Sequence, residues 1–191
     1  RLRIINKLKK INFNSFFYCP KEDLNHRLTW RKQYSKRWLS SFKKFSKMCE
    51  NIDINLLVGI SPGLDFSFKN YEHDFNLLVS KANSLKLNGA NKIVLMFDDI
   101  PKKINEKDFD REGTLHAKLA NSLFKKINEN IYVVPRIYSD ELIEYKSTYL
   151  NDFCSKLNKN INIFYCGKKI IANSNKHSEF SSIKSYTSNK L

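Results

Sequence analysis

The chain has 191 residues, 41% hydrophobic and 13% aromatic, which leaves room for one domain with a real core and excludes wholesale disorder. Lys and Arg number 34 against 19 acidic residues, a net charge of +15. Of the basic residues 27 are Lys and only 7 are Arg, and Asn occurs 22 times. That is the bias of A/T-rich codons, and the lysines are scattered (Lys43, Lys86, Lys125, Lys159) rather than clustered with arginine as a phosphate-reading surface requires, so no nucleic-acid partner is expected.

Residues 4–11 (IINKLKKI) read as the end of a helix ahead of a first strand. Five apolar runs follow, at 14–19 (NSFFYC), 55–60 (NLLVGI), 92–97 (KIVLMF), 130–134 (NIYVV) and 161–166 (INIFYC). Each is short and nearly continuous in hydrophobicity, as strands buried on both faces are. Between them lie helical stripes. Tyr34, Trp38, Phe42, Phe45 and Met48 form the first, and Phe75, Leu78, Val79, Ala82 and Leu85 the second, which Gly89 is placed to close. Leu115, Leu119, Leu123 and Ile127 form the third, and Leu142, Tyr145, Tyr149, Phe153 and Leu157 the fourth. At this spacing the stripes predict packing against a sheet.

Strand starts recur every 30 to 40 residues or so, the length of a βα unit, and successive units build a parallel sheet. A doubly wound sheet and a (β/α)8 barrel both satisfy that pattern. No Gly-rich phosphate loop follows any strand, so the nucleotide-binding versions lose support. Residues 172–191 hold six Ser and little periodicity, and read as an unsettled tail or a truncated helix without partners. We take 1–171 as one unit and 172–191 as a separate segment.

Cys19, Cys49, Cys154 and Cys166 lack the spacing of a C-x-x-C pair or a zinc finger and each lies in an apolar segment, so they read as reduced, buried thiols. That favours a reducing, cytoplasmic compartment. No apolar run reaches the ~20 residues of a membrane span, and 1–12 lack the apolar centre of a signal peptide. No membrane partner is expected.

In parallel βα proteins the working residues sit at the carboxyl ends of strands. The strongest local signal there is Asp98-Asp99, directly after the third strand. Three readings compete: a Mg²⁺ site, a pair in which one acid keeps its proton beside a charged neighbour, and an acidic turn capping the next helix. Adjacent strand residues point to opposite faces, so both side chains reach one ligand only where the strand breaks into a loop. As neighbours they titrate as a coupled pair with split pKa values. Lys21, after the first strand, reads as a donor to substrate hydroxyls or as an exposed loop lysine. Tyr138, after the fourth, reads as a phenol donor or as a half-buried aromatic. His26 and His116 have no nucleophile motif nearby and read as structural.

Taken in order, these strand ends resemble the family 84 glycoside hydrolases, the β-N-acetylglucosaminidases. The resemblance lies in the run from Tyr18-Cys19-Pro20-Lys21-Glu22-Asp23 through His26-Arg27 to Trp30-Arg31 and Tyr34, then Gly59-Ile60-Ser61-Pro62-Gly63-Leu64-Asp65, then Phe97-Asp98-Asp99-Ile100. Pro135 and Tyr138 match more loosely, as does Ile163-Phe164-Tyr165-Cys166-Gly167. The match runs from about Phe13 to Ile171.

The resemblance implies a (β/α)8 barrel of which the visible strands are the second to the sixth. It implies retaining hydrolysis of N-acetylglucosamine from a glycoconjugate, in which the sugar's own acetamido oxygen attacks and forms an oxazoline. On this basis Asp98 orients the acetamido N–H, Asp99 is general acid and then general base, Tyr138 holds the acetamido oxygen, and Lys21 binds sugar hydroxyls. No metal or other cofactor is implied. Where the family has Thr-Glu and Trp-Thr-Gly, this chain has Arg136-Ile137 and Tyr165-Cys166-Gly167. These departures keep a non-catalytic carbohydrate-binding relative as the alternative, with Mg²⁺-dependent phosphoryl transfer a weaker third. A full barrel takes about 250 residues, and the first, seventh and eighth strands are not legible here. We expect a partial barrel with exposed apolar edges, poorly soluble or inactive alone, and a chain that begins inside its first helix.

Overall fold

A computed structural model describes residues 2–100, 112–145, 147–174 and 176–187. Helix α1 (Leu2–Lys10) leads into β1 (Ser15–Tyr18), followed by α2 (Lys36–Glu50), β2 (Asn55–Ile60), α3 (Tyr71–Leu87) and β3 (Lys92–Met96). Then come α4 (Glu112–Ile127), β4 (Tyr132–Val134), α5 (Tyr149–Lys156), β5 (Asn162–Ile163) and α6 (Ser181–Thr187).

The sheet order is β1-β2-β3-β4-β5, and every pair is parallel. A doubly wound sheet reverses its direction of growth at a switch point. Here it never reverses, so right-handed crossovers put the helices on one face and the other face is free to curl inward. The curl is visible in side chains. Phe17 on β1 and Phe164 just past β5 stack with ring centroids 5.6 Å apart. Four strand spacings in a flat sheet would separate their backbones by about 19 Å.

Alternation along the strands sorts the two faces. Leu56, Val58 and Ile60, then Ile93, Leu95 and Phe97, then Val133, join the core formed with Leu78, Ala82, Leu119, Leu123 and Phe153 of the helices. Leu57, Val94, Met96 and Val134 form a smaller cluster on the concave face, with Phe17, Cys19, Tyr132 and Tyr138 against it. Local signals start and stop the helices. Ser35 caps α2, its Oγ accepting from Trp38 N at 3.2 Å. Gly89, at φ +103°, ends α3 while Ala90 N donates to Leu85 O at 3.0 Å, the left-handed stop that a side chain resists.

Four expectations shift. Met48 is exposed and Cys49 buried, because α2 turns Phe42, Ser46 and Cys49 inward. Cys19 and Cys166 are only half-buried. The fourth stripe does not form one helix: Asp140–Leu142 is a single 3-10 turn, Tyr145 is 91% exposed, and α5 starts at Tyr149. Ser139 Oγ donates to Gly167 O at 3.0 Å and Tyr165 Oη to Asp140 at 2.6 Å, so the β4 exit is tied to the β5 exit instead of coiling. Within 172–191, α6 has partners. Its Ile183 is buried in the main core, and residues 188–191 lie outside the described residues.

Candidate active site

The concave face carries the site. Continuing the alternation past the strand ends brings Phe17, Cys19 and Lys21 of β1 to the same side as Val94, Met96 and Asp98 of β3 and Phe164 and Cys166 beyond β5. A cleft of about 320 Å³ opens there, at the carboxyl ends of the strands, and Lys21, Asp98, Asp99 and Tyr138 all line it. The four residues singled out from the sequence therefore converge on one cavity.

Asp98 reaches the cleft by strand parity. Asp99, one residue later, should point away. It does not, because β3 has ended at Met96 and Asp99 adopts φ +50°. Left-handed backbone is uncommon outside glycine and best tolerated by Asn and Asp.

The two carboxylates have opposite surroundings. Tyr138 Oη donates to Asp99 Oδ1 at 2.8 Å, Lys21 Nζ pairs with Asp99 Oδ2, and Arg27 Nη1 stands 3.9 Å from the same oxygen. The Lys21 hydrogen bond, aided by Tyr138 and by the charges of Lys21 and Arg27, outweighs burial and holds Asp99 below the usual carboxylate range. Asp98 is raised instead, first by burial and second by the charge of Asp99. Its Oδ1 is buried with no hydrogen-bond partner among the described residues. Such an oxygen is costly to leave unsatisfied. Burial and the bond to Asp99 push the Tyr138 phenol up, keeping it a donor. The same pair raises Lys21, chiefly through its hydrogen bond to Asp99.

The pair splits as coupled neighbours do, with the proton favoured on Asp98 and the charge on Asp99. That resting order is the reverse of what a general acid at Asp99 requires. The acid role needs Lys21 drawn off Asp99 first.

Several motif residues build the site from behind. His26 is buried, with Nδ1 2.9 Å from Gly59 O and its own carbonyl accepting from Ser61 N at 3.0 Å. Burial lowers its pKa, which suits a structural neutral ring. Trp30 Nε1 donates to Asp65 at 2.7 Å, and Arg31 bridges Asp65 and buried Asp74. His116 lies behind the sheet, stacked on Phe97 at 4.0 Å and paired with Tyr149 Oη at 3.0 Å. Arg136 turns away from the cleft to Glu112 at 2.7 Å. The sequence reading missed Arg27. It stands in the quoted run, but a loop arginine carries no mark of what it will touch. Among the described residues no three His, Cys, Asp or Glu side chains converge as metal ligands would.

A one-way wound parallel sheet with its cleft and two neighbouring carboxylates at the carboxyl ends of the strands has the layout of a βα-barrel scaffold. The chain belongs to the beta-N-acetylglucosaminidase family, whose model (NAGidase) matches residues 1–191. It is 25% identical over 180 residues to protein O-GlcNAcase of Rattus norvegicus and to that of Mus musculus, covering 90% of this chain and 20% of each relative. Among solved structures, that of CpGH84B superposes with a TM-score of 0.86 at 25% identity, covering 98% of this chain and 34% of that one. A mutant O-GlcNAc hydrolase of Thermobaculum terrenum gives 0.86 at 24% identity, covering 98% and 42%. Both are TIM-barrel enzymes of this family, so the five-stranded sheet corresponds to part of such a barrel.

Proposed function

We propose that this chain carries the catalytic carboxylates of a retaining β-N-acetylglucosaminidase that removes terminal N-acetylglucosamine from a glycoconjugate. The observation that carries the reading is the turn at Asp99, which brings two consecutive carboxylates into one cleft with Tyr138 and Lys21. In this reading the acetamido N–H of the sugar meets the Asp98 carboxylate, which lines the cleft. The acetamido oxygen attacks the anomeric carbon while the bond to the leaving oxygen breaks and Asp99 protonates that oxygen. Water, deprotonated by Asp99, then opens the oxazoline. Tyr138 holds the acetamido oxygen in line and Lys21 takes a ring hydroxyl. Moving Lys21 from Asp99 to the sugar removes the main cause of the low Asp99 pKa and readies that residue to carry a proton.

The test is hydrolysis of chromogenic N-acetylglucosaminides by the full-length gene product. Asp99→Asn is expected to lower kcat about 100-fold or more, most severely for poor leaving groups. Asp98→Asn is expected to lower it whatever the leaving group. The reverse pattern would favour a second reading that the resting pKa order supports, with Asp98 as the acid. Unchanged activity in Asp99→Asn overturns both.

Of the two departures that favour a non-catalytic relative, Arg136 serves the scaffold, whereas Tyr165 and Cys166 line the cleft itself. Arg136 pairs with Glu112 and Glu144, and Tyr165 with Asp140. Tight binding of a thiazoline-type inhibitor without turnover would favour that alternative. A phosphoryl-transfer site would need Asp99 open to a cation, and Lys21 and Arg27 already stand there. Activity lost in EDTA would revive it. We extend the proposal to a reducing, cytoplasmic setting, supported by four cysteines that stand as thiols. Recovery of the protein in a secreted fraction would overturn that part.

A further inference from the structure

The proposed reaction makes an awkward demand on Asp99. Two of its side-chain partners, Lys21 and Tyr138, are the groups the sugar takes over. Lys21 is also the most open part of the site, its side chain 72% exposed. Once both have turned to substrate, something else must keep the left-handed turn from relaxing and carrying the carboxylate out of the cleft.

Arg27 is in place to do so. Its Nη2 donates to the main-chain carbonyl of Asp99, while its Nη1 stands 3.9 Å from Oδ2 of the same residue. The arginine side chain is only 15% exposed. Its loop is pinned independently of substrate. His26, the preceding residue, is bonded to Gly59 and Ser61 of the β2 exit, and Lys81 Nζ donates to Asn25 O at 2.6 Å. A planar fork addresses a carbonyl and a carboxylate together, which the single ammonium of lysine does not.

Resting on the proposed reaction, we infer that Arg27 is a positioning residue for the carboxylate pair. It locks the Asp99 turn through the main-chain carbonyl and remains the resident cation beside Asp99 after Lys21 has moved to the sugar. The other titratable groups facing the pair are Lys21 and Cys19 of the β1 exit, His26 of the same loop, Tyr138 beyond β4, and Tyr165 and Cys166 beyond β5. Arg27 lowers both carboxylates, so its removal raises both.

The experiment compares the full-length protein with its Arg27→Lys and Arg27→Gln variants, by carboxyl NMR titration of Asp98 and Asp99 and by kinetics on a chromogenic N-acetylglucosaminide. In Arg27→Gln both carboxyl titrations move to higher pH, and both limbs of the pH–rate profile follow. In Arg27→Lys, which keeps the charge and loses the fork, the titrations stay near their native positions. There kcat falls at least about tenfold and KM stays within about twofold, because turn geometry and not substrate contact is lost. Native circular dichroism and melting temperature accompany both measurements. If Arg27→Gln does not fold, Arg27→Lys decides alone. Native titrations in Arg27→Gln, native kcat in Arg27→Lys, or a rise in KM alone would overturn the inference. Absence of hydrolysis by the unmutated protein would sink the proposed reaction and with it the catalytic half of the inference. The titrations would still decide whether Arg27 holds the pair.

Discussion

Asp98 and Asp99 are neighbours in the chain and yet stand in opposite electrostatic surroundings, one desolvated and one clamped by cations. The contrast comes from a single backbone dihedral at Asp99 and from which partners it meets. Tyr138 donates to Asp99, and in the proposed reaction it holds the acetamido oxygen. Tyr138→Phe should therefore cost about 10- to 100-fold in kcat on a chromogenic N-acetylglucosaminide and leave the melting temperature unchanged. Full activity in that variant would remove the phenol from the site. Gly59, below the pair on the concave face, makes a second residue-scale case. A Cβ there would stand 2.5 Å from Met96 Sδ and 2.8 Å from His26 Cε1. Gly59→Ala is expected to destabilise by about 2 kcal/mol in urea titration, because the histidine ring behind the site has no room to retreat.

At the scale of elements, the β1–α2 connection is irregular in backbone and yet firmly held. Trp30 and Arg31 tie it to Asp65 and Asp74, and Lys81 ties it to α3. Asp74 is nearly inaccessible, so removing its cation strands a buried charge. Arg31→Met should cost about 2 to 3 kcal/mol in chemical denaturation. Arg31 holds the Asp74 pKa down. That contribution is complete above the ordinary carboxylate range near 3.9 and is lost as pH falls through the lower folded value. The native protein should lose stability below about pH 4 more steeply than Arg31→Met does. Lys81 shifts stability in the same direction with pH, through burial rather than pairing. Burial pushes it from 10.5 to about 8. Between those values the unfolded chain binds more protons, so stability rises with pH. Lys81→Met should flatten the slope across pH 8 to 10 by about 1 kcal/mol per unit, and an unaltered slope would place that dependence elsewhere.

Across the whole molecule, one-way winding gives the sheet its curvature and its two open edges. Among the described residues β1 and β5 each pair on one side only. Apolar side chains next to them in the chain stand exposed, Phe13 before β1 at 55% and Phe164 after β5 at 36%. Unpaired edges with apolar flanks invite association between chains. The 191-residue chain expressed by itself should elute from size exclusion as associated material, and a monodisperse active monomer would contradict this.

Much of this was legible in advance. Continuous apolar runs of four to six residues on a recurring spacing specify buried parallel strands, because only crossovers join them, and the carboxyl ends of those strands then nominate Lys21, Asp98, Asp99 and Tyr138. The stripe in α3 reads directly as its buried face, since regular periodicity and core-facing geometry coincide there. The segment after β4 does not, because Ser139 and Asp140 find partners on the β5 exit, and such long-range hydrogen bonds leave no periodic mark. Residue types and strand order were thus determined by the sequence, through hydrophobic pattern and local propensity. Only the tertiary structure decided that Asp99 turns left-handed into the cleft, that Lys21 and Arg27 gather on it, and that Asp98 keeps a buried Oδ1 with no hydrogen-bond partner among the described residues. Those outcomes depend on charges and carbonyls more than 70 residues apart in the chain, and burial and Coulomb interaction act on distance in space.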